Sequence, residues 1–159
     1  MRRPAKIFIV VAALAAAVCG AVAVQGGRFW VLAGDRVEIG PIHAETCLGA
    51  AGCQRTGLGW MNASALWVQA GTGTFAAGLI LALCCVLVAA TVAAGKRARL
   101  PAKLTLVAAA TAAAATTLFV GTFPGLSGAE PGRGLVWMAL AVVAAAAAAI
   151  STLRARAIE

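Results

Sequence analysis

Acidic and basic side chains are absent from four long stretches of this 159-residue chain. No aspartate, glutamate, lysine, arginine or histidine occurs in residues 7–24, 63–95, 104–121 or 135–153. Each stretch reaches or approaches the roughly 20 apolar residues that cross a hydrocarbon core as a helix. The same absence disfavours a pump, a proton relay or an ion pathway, because such proteins place ionisable groups inside their spans.

Sequence signatures of common enzyme and cofactor sites are also missing. The sequence contains no phosphate-binding P-loop, dinucleotide-binding fingerprint, HExxH motif or nucleophile elbow. Its single histidine, His43, has only Glu45 close by in the sequence, which is too sparse a set for a metal site. We therefore predict no catalytic residue, no metal and no cofactor.

Hydrophobic residues make up 62% of the chain, so the four stretches leave no room for a separate soluble domain. We predict one membrane domain over residues 1–159, an all-α bundle of four transmembrane helices with one substantial loop, residues 25–62. The stretch 63–95 is longer than a bilayer requires. We expect its more polar first part, residues 63–73, to rise above the membrane and support the loop.

Positive charge exceeds negative charge, with 13 Lys and Arg against 5 Asp and Glu. Nine of the positive residues flank the predicted spans on one side: Arg2, Arg3, Lys6, Lys96, Arg97, Arg99, Lys103, Arg154 and Arg156. The positive-inside rule places both termini in the cytoplasm and the loop 25–62 outside a plasma or inner membrane. These clusters lack interleaved aromatic residues, so we expect the lipid bilayer and its anionic headgroups as partners, and no nucleic acid.

The first span also matches a signal peptide. Residues 1–6 are basic, residues 7–18 are apolar, and residues 21–23 form an A-x-A cleavage sequence. A retained span is our first expectation, and cleavage stays open as the alternative. Either outcome leaves the loop 25–62 outside and the other helices in the same orientation.

The loop 25–62 has β character. Residues 28–32 and 36–39 are β-prone and are separated by the turn residues 33–35, which predicts a small antiparallel hairpin or sheet over the bundle. A further extended piece, residues 42–46, leads to Cys47. Cys47 and Cys53 are the only cysteines on the predicted oxidising side, so we expect a disulfide between them that contributes about 2 kcal/mol. A redox-active dithiol is the alternative, although the C-x5-C spacing lacks the C-x-x-C geometry.

Three tryptophans, Trp60, Trp67 and Trp137, lie near the predicted outer ends of the spans. Indole rings favour the boundary between hydrocarbon and water, so we predict that all three anchor the protein at the membrane interface. Contact with a ligand is the alternative role.

Four spans with both ends inside, a long first outer loop of β character and two cysteines late in that loop resemble the claudin and peripheral myelin protein superfamily. The family's loop pattern of Trp, then Gly-Leu-Trp, then Cys and Cys falls on Trp30, Gly40, Cys47 and Cys53, with Arg55 after the second cysteine. Pro41 and Ile42 stand where the family has Leu and Trp. The resemblance therefore covers the topology of the whole chain and about four residues of the motif.

The resemblance implies a left-handed four-helix bundle capped by a small disulfide-bonded sheet that acts through contacts. Claudin-like proteins join neighbours side by side or across an extracellular gap, and relatives attach to other membrane proteins. We expect a non-catalytic interaction or scaffold protein of the cell envelope, with Trp30, Gly40 and Arg55 in the contact loop and another membrane protein or a homo-oligomer as partner. The alternatives are an accessory subunit of a larger membrane complex, a transporter and a thiol–disulfide redox enzyme.

Overall fold

The computed structural model describes residues 3–26, 28–32, 36–47, 52–61 and 64–155, with the backbone alone at Trp60 and Met61. Within these ranges the chain forms four α-helices: α1 (Arg3–Gln25), α2 (Ala65–Ala93), α3 (Arg99–Gly121) and α4 (Arg133–Arg154). All four are long and apolar enough to cross a membrane. The predicted helices are confirmed, and three of them begin at a basic residue a few positions before the apolar stretch.

The longest helix, α2, runs unbroken for 29 residues, which corresponds to about 43 Å. Its first turn is capped by Ser64, whose Oγ accepts a hydrogen bond from the Trp67 backbone N–H at 3.2 Å. After its last turn, Gly95 adopts a φ of +70°, a left-handed conformation that ends helices and that glycine adopts without strain.

Small side chains form the contacts between the helices. α1 packs against α2 and α4, and α3 packs against the same two helices. Ala13, Ala141 and Ala145 are fully buried in these contacts. At Gly78 an added Cβ would lie 2.5 Å from Cγ1 of Val24, so the backbones of α2 and α1 approach as closely as a glycine permits. Close approach of small residues is how helices associate when lipid supplies no hydrophobic drive.

A five-stranded antiparallel sheet lies at the end of the bundle where α1 ends and α2 begins. Its strands are β1 (Trp30–Leu32), β2 (Val37–Ile39), β3 (His43–Cys47), β4 (Cys53–Gly57) and β5 (Glu130–Pro131), in the order β4-β3-β2-β1-β5. The predicted hairpin is confirmed as β1 and β2, and the predicted extended piece as β3. Neither β4 nor β5, which comes from the connection between α3 and α4, was predicted. The turns at 33–35 and 48–51 lie outside the described residues.

Strand register sorts the sheet residues onto two faces, because successive side chains of a strand alternate. Trp30, Ile39 and Ala44 lie side by side across β1, β2 and β3 and are buried. Glu38 and Glu45, one position along, pair with each other on the opposite face. The sheet therefore has an apolar face against the helices and a charged face away from them.

The helix topology separates the charges along the bundle. The start of α1, the connection between α2 and α3 with the first turns of α3, and the last turn of α4 all lie at the end opposite the sheet. We call this the basic end, and its described cations are Arg3, Lys6, Lys96, Arg97, Arg99, Lys103 and Arg154. The acidic residues of the described ranges, Glu38, Glu45 and Glu130, all belong to the sheet.

Candidate functional site

An aromatic cluster joins the sheet to the helices. Its members are Phe29, Trp30, Trp67, Phe119 and Phe123. The rings of Trp30 and Phe123 stack with centroids 4.2 Å apart, and those of Trp67 and Phe119 stack at 5.1 Å. Trp30 also meets Phe119 edge to face at 5.0 Å. Aromatic pairs of this kind contribute about 0.5–1.5 kcal/mol each beyond their buried area, so the cluster fixes β1 on α2 and α3.

Trp67 occupies the centre of this junction, and the prediction that it anchors a membrane interface is wrong. Its side chain is 0% exposed, and Nε1–H donates a hydrogen bond to the Phe119 carbonyl oxygen at 3.1 Å. That carbonyl lies in the last turn of α3, where the helix itself provides no donor. The indole therefore hydrogen-bonds the end of α3 and takes no part in the outer surface of the bundle.

The other two tryptophans differ from Trp67. Trp137 is 40% exposed on α4 near the sheet end of the bundle, an outward position that an interface anchor requires. The Trp60 side chain lies outside the described residues, and only its backbone, in a short 3-10 helix, can be described.

Two residues of the loop motif position the sheet and do not face outward. Trp30 is 6% exposed within the aromatic cluster, and Gly40 is buried in the turn between β2 and β3. Next to Gly40, the carbonyl oxygen of Pro41 approaches Gly71 of α2 so closely that an added Cβ there would overlap it. Of the predicted contact residues, only Arg55 is exposed, with 70% of its side chain accessible.

The predicted disulfide between Cys47 and Cys53 is present and joins directly opposite residues of β3 and β4. The Glu45 carboxylate lies within 4.8 Å of both sulfur atoms. Because the two sulfurs are bonded to each other, they offer no thiolate to a metal ion. Cys84 and Cys85 lie about 28 Å along α2 from its sheet end, too far away for direct thiol exchange with the disulfide.

Two ion pairs stabilise the outward face of the sheet. Glu38 and Glu45 are like charges at directly opposite positions, an arrangement that by itself destabilises a strand pair. Arg28 Nε contacts Glu38 Oε2 at 2.7 Å, and Arg55 Nε contacts Glu45 Oε2 at 3.3 Å. With His43 these residues line a shallow polar cavity of about 60 Å³. Each carboxylate is therefore matched by a guanidinium.

The hydrogen bonds of β3 show which of its backbone groups pair with β2 and which pair with β4. Cys47 N–H donates to the Arg36 carbonyl at 2.7 Å, and Gly40 N–H donates to the His43 carbonyl at 2.8 Å. Because the direction of backbone groups alternates along an antiparallel strand, the odd-numbered residues of β3 bond to β2. Its even-numbered residues bond to β4.

The free edge of β4 follows from this alternation. Gln54 and Thr56 pair with the even-numbered residues of β3. Cys53, Arg55 and Gly57 therefore turn their backbone N–H and C=O groups away from the sheet. All five residues of β4 are exposed, and within the described ranges no strand covers this edge. The sheet ends in an open strand that the disulfide holds in place.

Sequence reasoning missed Phe29, Phe119 and Phe123 as members of the junction. Phe119 and Phe123 are both aromatic and lie four residues apart at the end of the third apolar stretch, which is a usable signal although α3 ends at Gly121, before Phe123. No sequence signal brings Phe29 to them, because that contact depends on the docked sheet.

Comparisons with known protein families and curated proteins identified no relative of this chain. No family model matches the chain, and no curated protein matches its sequence. The fold and the site alone define its class: a four-helix protein with membrane-length apolar helices, carrying at one end a disulfide-tied antiparallel sheet with an open edge.

Proposed function

We propose that this chain is an integral protein of a plasma or inner membrane that acts through contacts and carries out no catalysis. In the proposed orientation both termini and the connection between α2 and α3 are cytoplasmic, and the sheet lies outside. The seven described cations of the basic end support this orientation through the positive-inside rule. Retention of the first span is supported by α1, which buries Ile9, Ala13 and Ala16 against the other helices.

We further propose that the protein is claudin-like. Four helices of membrane length support this, as does a sheet assembled from both connections at one end and tied by a disulfide between neighbouring strands. In such an architecture the bundle is the support and the sheet is the surface that meets other proteins.

The observation that carries the contact function is the open edge of β4. An exposed strand edge offers unpaired N–H and C=O groups to a strand of another chain. The Cys47–Cys53 bond and the Arg55–Glu45 ion pair hold this edge extended, so little ordering entropy is lost when a partner strand adds to it. The partner is a second copy of this chain or another membrane protein with a free strand.

Arg55 provides a test because its backbone N–H points away from β3. Arg55→Pro removes that donor without removing a bond inside the sheet. We expect the variant to associate on the order of tenfold more weakly than the unaltered chain. The measurement is the mass and composition of the particle after gentle solubilisation and dilution.

The matched control is Arg55→Gln, which removes the charge and keeps the N–H, and it should associate nearly as well as the unaltered chain. Equal free energies of unfolding for both variants and the unaltered chain would show that the sheet is intact. A lone monomer for the unaltered chain, or equal association of the two variants, would contradict the edge contact.

The accessory-subunit alternative is favoured by a different feature, an open groove of about 280 Å³ between α3 and α4. Thr116 Oγ1 is buried there without a hydrogen-bond partner among the described residues. A helix of a larger complex seated in this groove would cover its apolar lining, which includes Leu135, Val142 and Val143. In the same solubilisation experiment, a foreign subunit that stays bound to Arg55→Pro in fixed proportion would support this second function.

A further inference from the structure

We infer that the basic end is a binding surface for anionic phospholipid headgroups. Its seven described cations come from all the segments that meet there: the start of α1, the connection between α2 and α3 with the first turns of α3, and the end of α4. Most of these side chains are exposed, including Arg97, Arg99 and Lys103. The cations therefore encircle one end of the bundle, and no single helix carries them all.

Negative charge at this end is nearly absent. Within the described ranges no acidic side chain lies there, and in the sequence only Glu159 belongs to these segments. The sheet end differs, because Arg28 and Arg55 are each paired with a glutamate. The net positive charge of the described ranges is thus concentrated at the basic end.

Exposed apolar side chains beside the cations identify the partner as lipid. Leu100 is 68% exposed in the same helical turn as Arg99 and Lys103, and Ile7 is 63% exposed next to Lys6. A nucleic acid or an acidic soluble protein would leave these apolar groups in water. At the boundary of a bilayer, Leu100 and Ile7 contact lipid while the long Lys and Arg side chains extend along apolar surface to reach the phosphates, so both kinds of side chain are satisfied.

This inference rests on the membrane placement proposed above and is independent of what the β4 edge contacts. If the basic end only oriented the protein in the membrane, anionic and zwitterionic lipids would bind beside it equally well. A surface that binds headgroups retains anionic lipid around the helices even when that lipid is a minor component of the bilayer.

The test uses the full chain in phosphatidylcholine vesicles with a trace of spin-labelled phosphatidylglycerol or spin-labelled phosphatidylcholine. The motionally restricted fraction of each label reports which lipid resides at the protein. We expect a preference for phosphatidylglycerol on the order of fivefold at low salt that falls as salt is added. The triple variant Arg97→Gln, Arg99→Gln, Lys103→Gln should bring the ratio close to one.

The matched control removes the same number of cations from the sheet end, as Arg36→Gln, Arg55→Gln, Arg133→Gln, and should keep the preference. An equal fall in both triple variants would overturn the inference, because it would show an effect of net charge alone. Equal restriction of the two labels by the unaltered chain would overturn it as well. Protease protection of the helices in the same vesicles reports insertion, so a failure of the membrane placement is seen separately.

Discussion

Trp67→Ala should lower the free energy of unfolding by about 3–5 kcal/mol. The side chain is fully buried, its ring stacks on Phe119, and its N–H satisfies the Phe119 carbonyl at the end of α3. Its removal opens a cavity between the sheet, α2 and α3 and leaves that carbonyl without a donor. Denaturant unfolding of the purified protein in detergent measures the loss.

Trp137→Ala is the control, because it truncates the same residue type at a 40% exposed position on α4. We expect it to change the free energy of unfolding by less than about 1 kcal/mol. Trp67→Phe should fall between the two, since it keeps a ring in the stack and loses the hydrogen bond. If Trp137→Ala lowers the free energy of unfolding as much as Trp67→Ala does, the aromatic cluster does not hold the sheet on the bundle.

Gly71→Ala should destabilise the protein by about 1–3 kcal/mol, although alanine favours a helix more than glycine does. A Cβ at this position would overlap the Pro41 carbonyl oxygen and lie 3.0 Å from Cε2 of Phe119. The first obstacle is backbone, so α2 and the turn between β2 and β3 must move apart. The same unfolding measurement detects the loss.

Gly73→Ala is the matched control on the same helix, because an added Cβ there has no atom within 4 Å apart from its chain neighbours and the nearby backbone of α2 itself. Only the greater helix propensity of alanine acts at this position. We therefore expect the free energy of unfolding to stay the same or to rise by up to about 1 kcal/mol. Equal effects at the two glycines would show that the turn does not rest on α2.

The helices were predictable because their determinant is local. Stretches without a charged residue identify them, and capping or charged residues such as Ser64 and Arg99 stand at their ends. The expectation for the first part of α2 also follows from local composition. Gly71 of this part packs against Pro41 in the β2–β3 turn, as a segment that supports the loop should.

The sheet was predictable only where sequence neighbours pair. Only four residues separate β1 from β2 in the sequence, so alternation and turn-forming residue types indicate the pair. β5 has two residues, one of them Pro131, and it pairs with Trp30 and Val31 about one hundred positions earlier. No pattern within such a short segment specifies that pairing, which follows from docking of the sheet on the bundle.

The wrong prediction for Trp67 has a similar cause. Position near the end of an apolar stretch indicates an interface for Trp67 and Trp137 alike. Which of them turns inward depends on whether a neighbouring helix presents an acceptor and aromatic partners. Phe119 provides both for Trp67. The spacing of residues along α2 alone carries no information about α3.

The most direct test is to determine on which side of the membrane each end of the bundle lies. Glu130→Cys places a thiol on exposed β5 and Arg97→Cys places one at the basic end, with the unaltered chain as background for Cys19, Cys84 and Cys85. We predict that a membrane-impermeant maleimide labels Glu130→Cys in intact cells and labels Arg97→Cys only after permeabilisation. Labelling of Arg97→Cys in intact cells, or of both variants from one side, would contradict the four-span orientation on which the proposed function depends.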